Sequence, residues 1–158
     1  MTTEGGGGHG TGEVVFLLDV NVLIALFDPG HLHHEAAHAW FGSVERRAWA
    51  TCPLTQNGFV RILSNPAYAG RRTTVADAAD RLRRFTEASN HRFWQDDVSL
   101  LDPRRVVAGK LTGHREITDA YLLALAVGRG GALATFDANV RTSAVVGVEE
   151  RHLHVLGG

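Results

Sequence analysis

The chain has 158 residues and a single cysteine, Cys52, which excludes an internal disulfide. A reducing, cytoplasmic compartment is therefore expected, with Cys52 as a small core residue. No apolar run approaches the ~20 residues that a membrane span needs. The opening "MTTEGGGGHGTGE" lacks the basic start and apolar core of a secretory signal. Charge of one sign is missing too. The net charge of −1 argues against coating nucleic acid by bulk charge, though it leaves room for a local basic patch. Lysine is almost absent: Lys110 is the only one, and the other cations are arginines. Arginine forks onto phosphate with two hydrogen bonds, so an arginine-rich face suits RNA. Genome base composition explains the same bias equally well.

A hydrophobic fraction of 44% and a charged fraction of 21% fit one soluble domain with a real core. Residues 1–13 are glycine-rich and read as a disordered tail or tag, leaving 14–158 as the domain. "VVFLL" (14–18) looks like a buried parallel strand ending at Asp19. "NVLIALFD" reads as a short helix stopped by Pro29-Gly30. A helical spacing then runs from His31 to about Arg46. "AWATC" (48–52) is a second strand, and Thr55 is placed to cap a helix that ends at Asn65-Pro66. Thr74 to Ala88 is amphipathic, with Val75, Ala78, Ala79, Leu82 and Phe85 on one face. "HRFWQ" (91–95) is a third strand. Residues 96–117 resist assignment, though 106–111 could be helical. Thr118 is placed to cap a helix closed by Gly130-Gly131. "ALATF" (132–136) and "RHLHVL" (151–156) are the last strands, the latter at an edge. Alternating strands and helices predict an α/β fold with a parallel sheet.

Three aspartates stand out. Asp19 and Asp137 end strands, where open α/β sheets build their sites. Asp119 begins a helix, where the dipole favours its charge. Carboxylates converging on one rim repel and call for a cation, and hard oxygen donors suit Mg²⁺ or Mn²⁺. Taken singly, each aspartate is more ordinarily structural.

In order along the chain, "FLLDVNVLIALF", "WATCPLTQNGFVRILSNP", "HREITDAYLLALA" and "GALATFDANV" resemble the PIN-domain ribonucleases of the VapC toxin type. The resemblance runs from about Val14 to His154. It implies a Rossmann-like PIN domain with a central, mostly parallel sheet of about five strands flanked by helices. It also implies a metal-dependent endoribonuclease that cuts RNA phosphodiesters, neutralised by a VapB-like antitoxin and usually homodimeric. Carried over by position, Asp19, Asp119 and Asp137 are the catalytic, metal-holding acids, with Mg²⁺ or Mn²⁺ as cofactor. Asn21, Thr118 and Thr135 would stand behind them. One departure matters. Where many PIN proteins carry a glutamate after the second strand, this chain has Gln56, which keeps an oxygen donor and loses a charge. Glu116 is a candidate to compensate. Gln56 also keeps open an alternative, a non-catalytic PIN module that binds RNA or an antitoxin.

"HEAAH" (34–38) has the spelling of a zinc hydrolase helix. No third ligand follows His38, so a solvated helix face is the favoured reading of His34 and His38. His152 and His154 alternate on the last strand and are expected on its wet face. Trp40, Phe41 and Trp49 are expected in the core or an interface. Arg71, Arg72, Arg81, Arg83, Arg84 and Arg92 could form an RNA-facing patch or a solvated helix face paired with Asp77 and Asp80. Arg81 and Arg84 are the candidates taken from this group, together with Arg61, which could reach toward the site or bridge helices.

Overall fold

The apolar run at 14–18 forms β1 (Phe16–Leu18) in the computed structural model, which describes residues 13–44, 48–70 and 72–157. It is followed by α1 (Val20–Phe27), α2 (His34–Val44), β2 (Trp49–Thr51), α3 (Pro53–Leu63) and α4 (Val75–Ala88). Then come β3 (His91–Phe93), α5 (Ile117–Gly128), β4 (Ala132–Thr135) and β5 (Leu153–Val155). The glycine-rich stretch before Glu13, the expected end of the second helix at Arg46, and Arg71 lie outside the described residues.

The strands form one parallel sheet in the order β3-β2-β1-β4-β5. β5 pairs only with β4, so the expected edge position holds. Period-two alternation sends neighbouring side chains into different cores. Phe16, Leu18, Trp49, Ala132 and Ala134 pack under α1 to α4, while Leu17, Ala50 and Leu133 pack under α5. Cys52 is fully buried on the α5 side. Phe41 and Trp49 are core residues and Trp40 packs against them. Each fully buried leucine of α5, such as Leu122 or Leu125, adds ~1.5–3 kcal/mol relative to exposure. Gly130, at φ 70°, turns the end of α5. At Gly131 a Cβ would lie 2.4 Å from the Val15 carbonyl oxygen, so only glycine lets β4 enter the sheet there.

Several boundaries differ from the sequence reading. α2 starts at His34 because the backbone bends first, with the His33 N–H donating to His31 Nδ1 at 3.0 Å. α3 starts at Pro53, whose fixed φ suits a first turn, so Cys52 and not Thr55 is the cap residue. Thr55 lies one turn in, accepting from the Cys52 N–H at 3.0 Å and donating to the Cys52 carbonyl at 3.1 Å. Thr118 is likewise inside the first turn of α5, with Glu116 at the cap. The 106–111 stretch yields one 3-10 turn, Ala108–Lys110. Another such turn, Glu150–His152, takes the start of the expected last strand. His152 is therefore buried, its Nδ1 accepting from the Glu149 N–H at 2.9 Å; His154 is exposed as expected.

Candidate active site

β1 has β2 and β3 on one side and β4 and β5 on the other. The crevice beyond the carboxyl ends of β1 and β4 is thus the switch point where open α/β sheets place sites. Asp19 leaves β1 there, its N–H donating to the Ala134 carbonyl of β4 at 3.0 Å. It is also the cap residue of α1. Its Oδ1 accepts from the Val20 N–H at 2.7 Å and its Oδ2 from the Thr135 hydroxyl at 2.8 Å. With only 7% exposure, the carboxylate is fixed by both bonds. Burial raises its pKa, the two hydrogen bonds oppose that, and the nearby Asp137 charge adds to it.

Thr135 ties two acids together. Its hydroxyl donates to Asp19 and accepts from the Asp137 N–H at 3.1 Å. Asp137 is exposed, and its Oδ1 accepts from the Asn139 N–H at 2.7 Å, which shapes the loop after β4. Asp119, in the first turn of α5, completes the group. Its pKa is pushed up to about 7 by burial first, then by the Asp19 charge and by a hydrogen bond and charge from Asp137. Without a cation Asp119 is therefore harder to ionise than an ordinary carboxyl, burial being the first cause and its acidic neighbours the next.

Among the described residues no three His, Cys, Asp or Glu side chains are arranged to hold a metal ion by themselves. The donor set still fits a hard cation. Mg²⁺ is ordinarily held by one or two carboxylates together with waters and substrate phosphates, not by an all-protein cage. Asp119 and Asp137 interacting directly, with the buried Asp19 close enough for its charge to be felt, match that requirement.

The model of the PIN domain matches residues 16–145. The chain belongs to the PIN-domain family. It is 46% identical to Ribonuclease VapC44 of Mycobacterium tuberculosis over 140 residues, 89% of this chain and 98% of that protein. Ribonuclease VapC39 of the same organism is 46% identical over 134 residues, 85% of this chain and 96% of that one. These likenesses place the chain in the VapC branch of the PIN family. The crystal structure of Mycobacterium tuberculosis VapC20, a Sarcin-Ricin loop cleaving toxin, superposes with a TM-score of 0.58 at 16% identity. It covers 84% of this chain and 98% of that one, a likeness of fold.

Asn21 is exposed in the first turn of α1, and Thr118 is exposed beside Asp119. Gln56 donates from Nε2 to the Thr51 hydroxyl at 3.0 Å and lines a cleft between α3 and α4 with Val60 and Arg83. Among the described residues no hydrogen bond joins Gln56 to the three aspartates. Glu116 does not compensate for it. Its carboxylate accepts from the Thr112 N–H at 2.7 Å and pairs with Arg141 at 2.7 Å, which hold its pKa down at about 2.

Arg81 donates to the Phe27 carbonyl and lies over the Phe27 ring, 5.4 Å from its centroid. Arg84 pairs with Asp80 at 3.1 Å. Arg81 and Arg84 line one cleft with Arg72 and Asp77, whereas Arg61 is exposed on α3. Both descriptions offered by the sequence are thus present: a basic cleft, and arginines paired with their own helix.

His34 and His38 share a face of α2 and touch, with ring centroids 4.4 Å apart. His34 Nδ1 meets the Ala25 carbonyl at 2.7 Å and His38 Nε2 meets the Leu26 carbonyl at 2.8 Å. Carbonyls in the last turn of a helix have no partner within it. The two imidazoles supply those partners to α1. The resemblance already pointed to Thr135 behind the acids, but its bond to Asp19, far away in the chain, was not visible in the sequence. Nor was Asp96, which takes the Leu54 N–H at 3.0 Å and the Tyr121 hydroxyl at 2.9 Å. Nor was the group of rings around Phe136. These depend on side chains distant in sequence, and no spacing announces them.

Proposed function

We propose that this PIN domain is an endoribonuclease toxin that uses Mg²⁺ or Mn²⁺ at Asp19, Asp119 and Asp137. The observation that carries the reading is the convergence of these three carboxylates, from β1, α5 and the end of β4, on the switch point of the sheet. A divalent cation held by these carboxylates would supply an activated water and offset charge on the phosphodiester. The chain's own residues prepare the place. Thr135 and the Val20 N–H hold Asp19 in one orientation. Asn139 and Thr135 fix the Asp137 turn. Burial first, then the Asp19 and Asp137 charges, disfavours the ionised form of Asp119, and a cation held at the rim would favour it. Relatives named as ribonucleases support the RNA substrate.

RNA reaches the rim, in this reading, with help from the cleft of Arg72, Arg81 and Arg84, and from Arg61. The partner is a VapB-like antitoxin. An antitoxin arginine or lysine placed against the rim would take the cation's place. The domain acts as a homodimer in the cytoplasm. Among the described residues no helix is long and apolar enough to cross a membrane. A second reading, a non-catalytic module that binds RNA or antitoxin, draws on Gln56, which is neutral and committed to Thr51. Cleavage of purified RNA in Mn²⁺ separates the two. The proposed activity requires cutting by the native chain that disappears with a chelator and with Asp19→Ala. Equal cutting by both proteins would show a contaminant, and no cutting by either would favour the binding module. Sequencing of RNA ends after brief induction identifies the target. Co-expression with the upstream open reading frame tests the antitoxin.

A further inference from the structure

Phe136 separates Thr135, which holds Asp19, from Asp137. Its half-buried ring is covered by two histidines that arrive from the turn between α1 and α2. His33 stacks on it with centroids 4.4 Å apart and planes 20° apart, and His31 lies at 6.3 Å and 26°. The two imidazoles are 5.8 Å from one another, side by side over the phenyl floor. Both keep part of their surface open to solvent. The His33 N–H donates to His31 Nδ1, which makes that nitrogen an acceptor and leaves Nε2 of the neutral ring as a donor. Leu32, between them, is 89% exposed. Two imidazoles thus gather on Phe136, the residue before the rim carboxylate Asp137, with the exposed Leu32 between them in sequence.

We infer that His31, Leu32 and His33, carried on Phe136, form a lip that stacks an unpaired RNA base beside the cleavage site. The inference rests on the ribonuclease reading and names how that site would hold its strand. Bases of single-stranded RNA are recognised by stacking on aromatic and histidine rings, which tolerate any sequence because every base has a π-face. The acidic rim cannot attract a strand by charge. A stacking surface at its edge gains affinity without adding cations that would compete for the aspartates. A neutral His31 keeps one ring N–H to donate to a phosphate or a base edge. Distance from the arginine cleft is no obstacle, because a strand that crosses both would be held on two sides of the cut.

The test uses the full chain carrying Asp19→Asn, so that bound RNA stays intact, and a short single-stranded RNA containing 2-aminopurine. Stacking quenches this fluorescent base. Quenching is expected on binding. His33→Ala should weaken binding about tenfold, equivalent to ~1.4 kcal/mol, and abolish the quench. His33→Phe, which keeps a flat ring on Phe136, should restore both. Unchanged affinity and quench in His33→Ala, or a His33→Phe protein no better than the alanine variant, would overturn the lip. Failure of the ribonuclease reading is seen separately, as intact RNA when the native chain is incubated with Mn²⁺.

Discussion

Two constellations in this chain have metal-ligand chemistry, the histidines of α2 and the aspartates of the rim, and their surroundings set them apart. The histidines are four residues apart on one helix, so their proximity follows from helical geometry alone. Each is engaged by a carbonyl at the end of α1. The aspartates come from three separate elements and are held together against their own repulsion. Asp19 is buried, Asp119 is pushed up to about 7, and one threonine hydroxyl bridges two of them. A cluster that costs free energy to assemble points to function more strongly than one that a local motif provides at no cost.

The largest expected effect is on cleavage. Asp19→Asn and Asp119→Asn should each reduce cleavage on the order of a hundredfold or more, as loss of a group acting on developing charge does. The His34→Ala, His38→Ala double variant should cleave at the native rate per folded molecule. Parallel assays on matched RNA check both, and full activity in either aspartate variant would erase the distinction between the constellations. Thr135→Val should be milder, roughly 10- to 100-fold, because it leaves the carboxylates in place and removes the bond that orients Asp19.

Stability should separate the two groups with opposite signs. Asp119 binds its proton more tightly folded than unfolded, with a pKa of about 7 against 3.8. Metal-free protein should therefore lose stability as pH rises through that window. Below about 3.8 both states are protonated and the penalty is absent; above about 7 it is complete. Asp119→Asn should flatten this part of a melting-temperature profile. The same slope in the variant would assign the effect to another group. By contrast, His34→Ala and His38→Ala should each destabilise by ~1 kcal/mol or less, the net value of a partly exposed hydrogen bond, in denaturant titrations. Gln56→Glu is expected to have the smallest effect on the site. Because Gln56 faces Thr51, Mn²⁺ affinity should stay within twofold by calorimetry, on the order of 0.4 kcal/mol. A clear tightening would bring that helix into the site.

Much of the fold was legible because its signals are local. β1 and β4 are continuous apolar runs ending at aspartates, and Gly130-Gly131 closes α5 where the chain must turn tightly. From those positions the carboxyl-end crevice, and with it Asp19 and Asp137, followed. Less legible was whatever depends on contacts across the fold. Thr55 reads as a cap, yet Pro53 starts the helix earlier and turns Thr55 back onto Cys52. His152 reads as a strand residue, yet a 3-10 turn buries it. The stretch 96–117 has no periodicity because side-chain bonds such as Glu116 to Thr112 and Arg141 organise it. The partners of His34 and His38 are backbone carbonyls, which no sequence pattern displays.

Mn²⁺ binding followed by electron paramagnetic resonance decides between the aspartates and the histidines, because the free ion's signal falls as each ion is bound. The native chain and the His34→Ala, His38→Ala double variant should bind Mn²⁺ alike, while Asp19→Asn and Asp119→Asn lose that binding. Mn²⁺ retained by both aspartate variants, or lost with the histidines, would contradict that expectation.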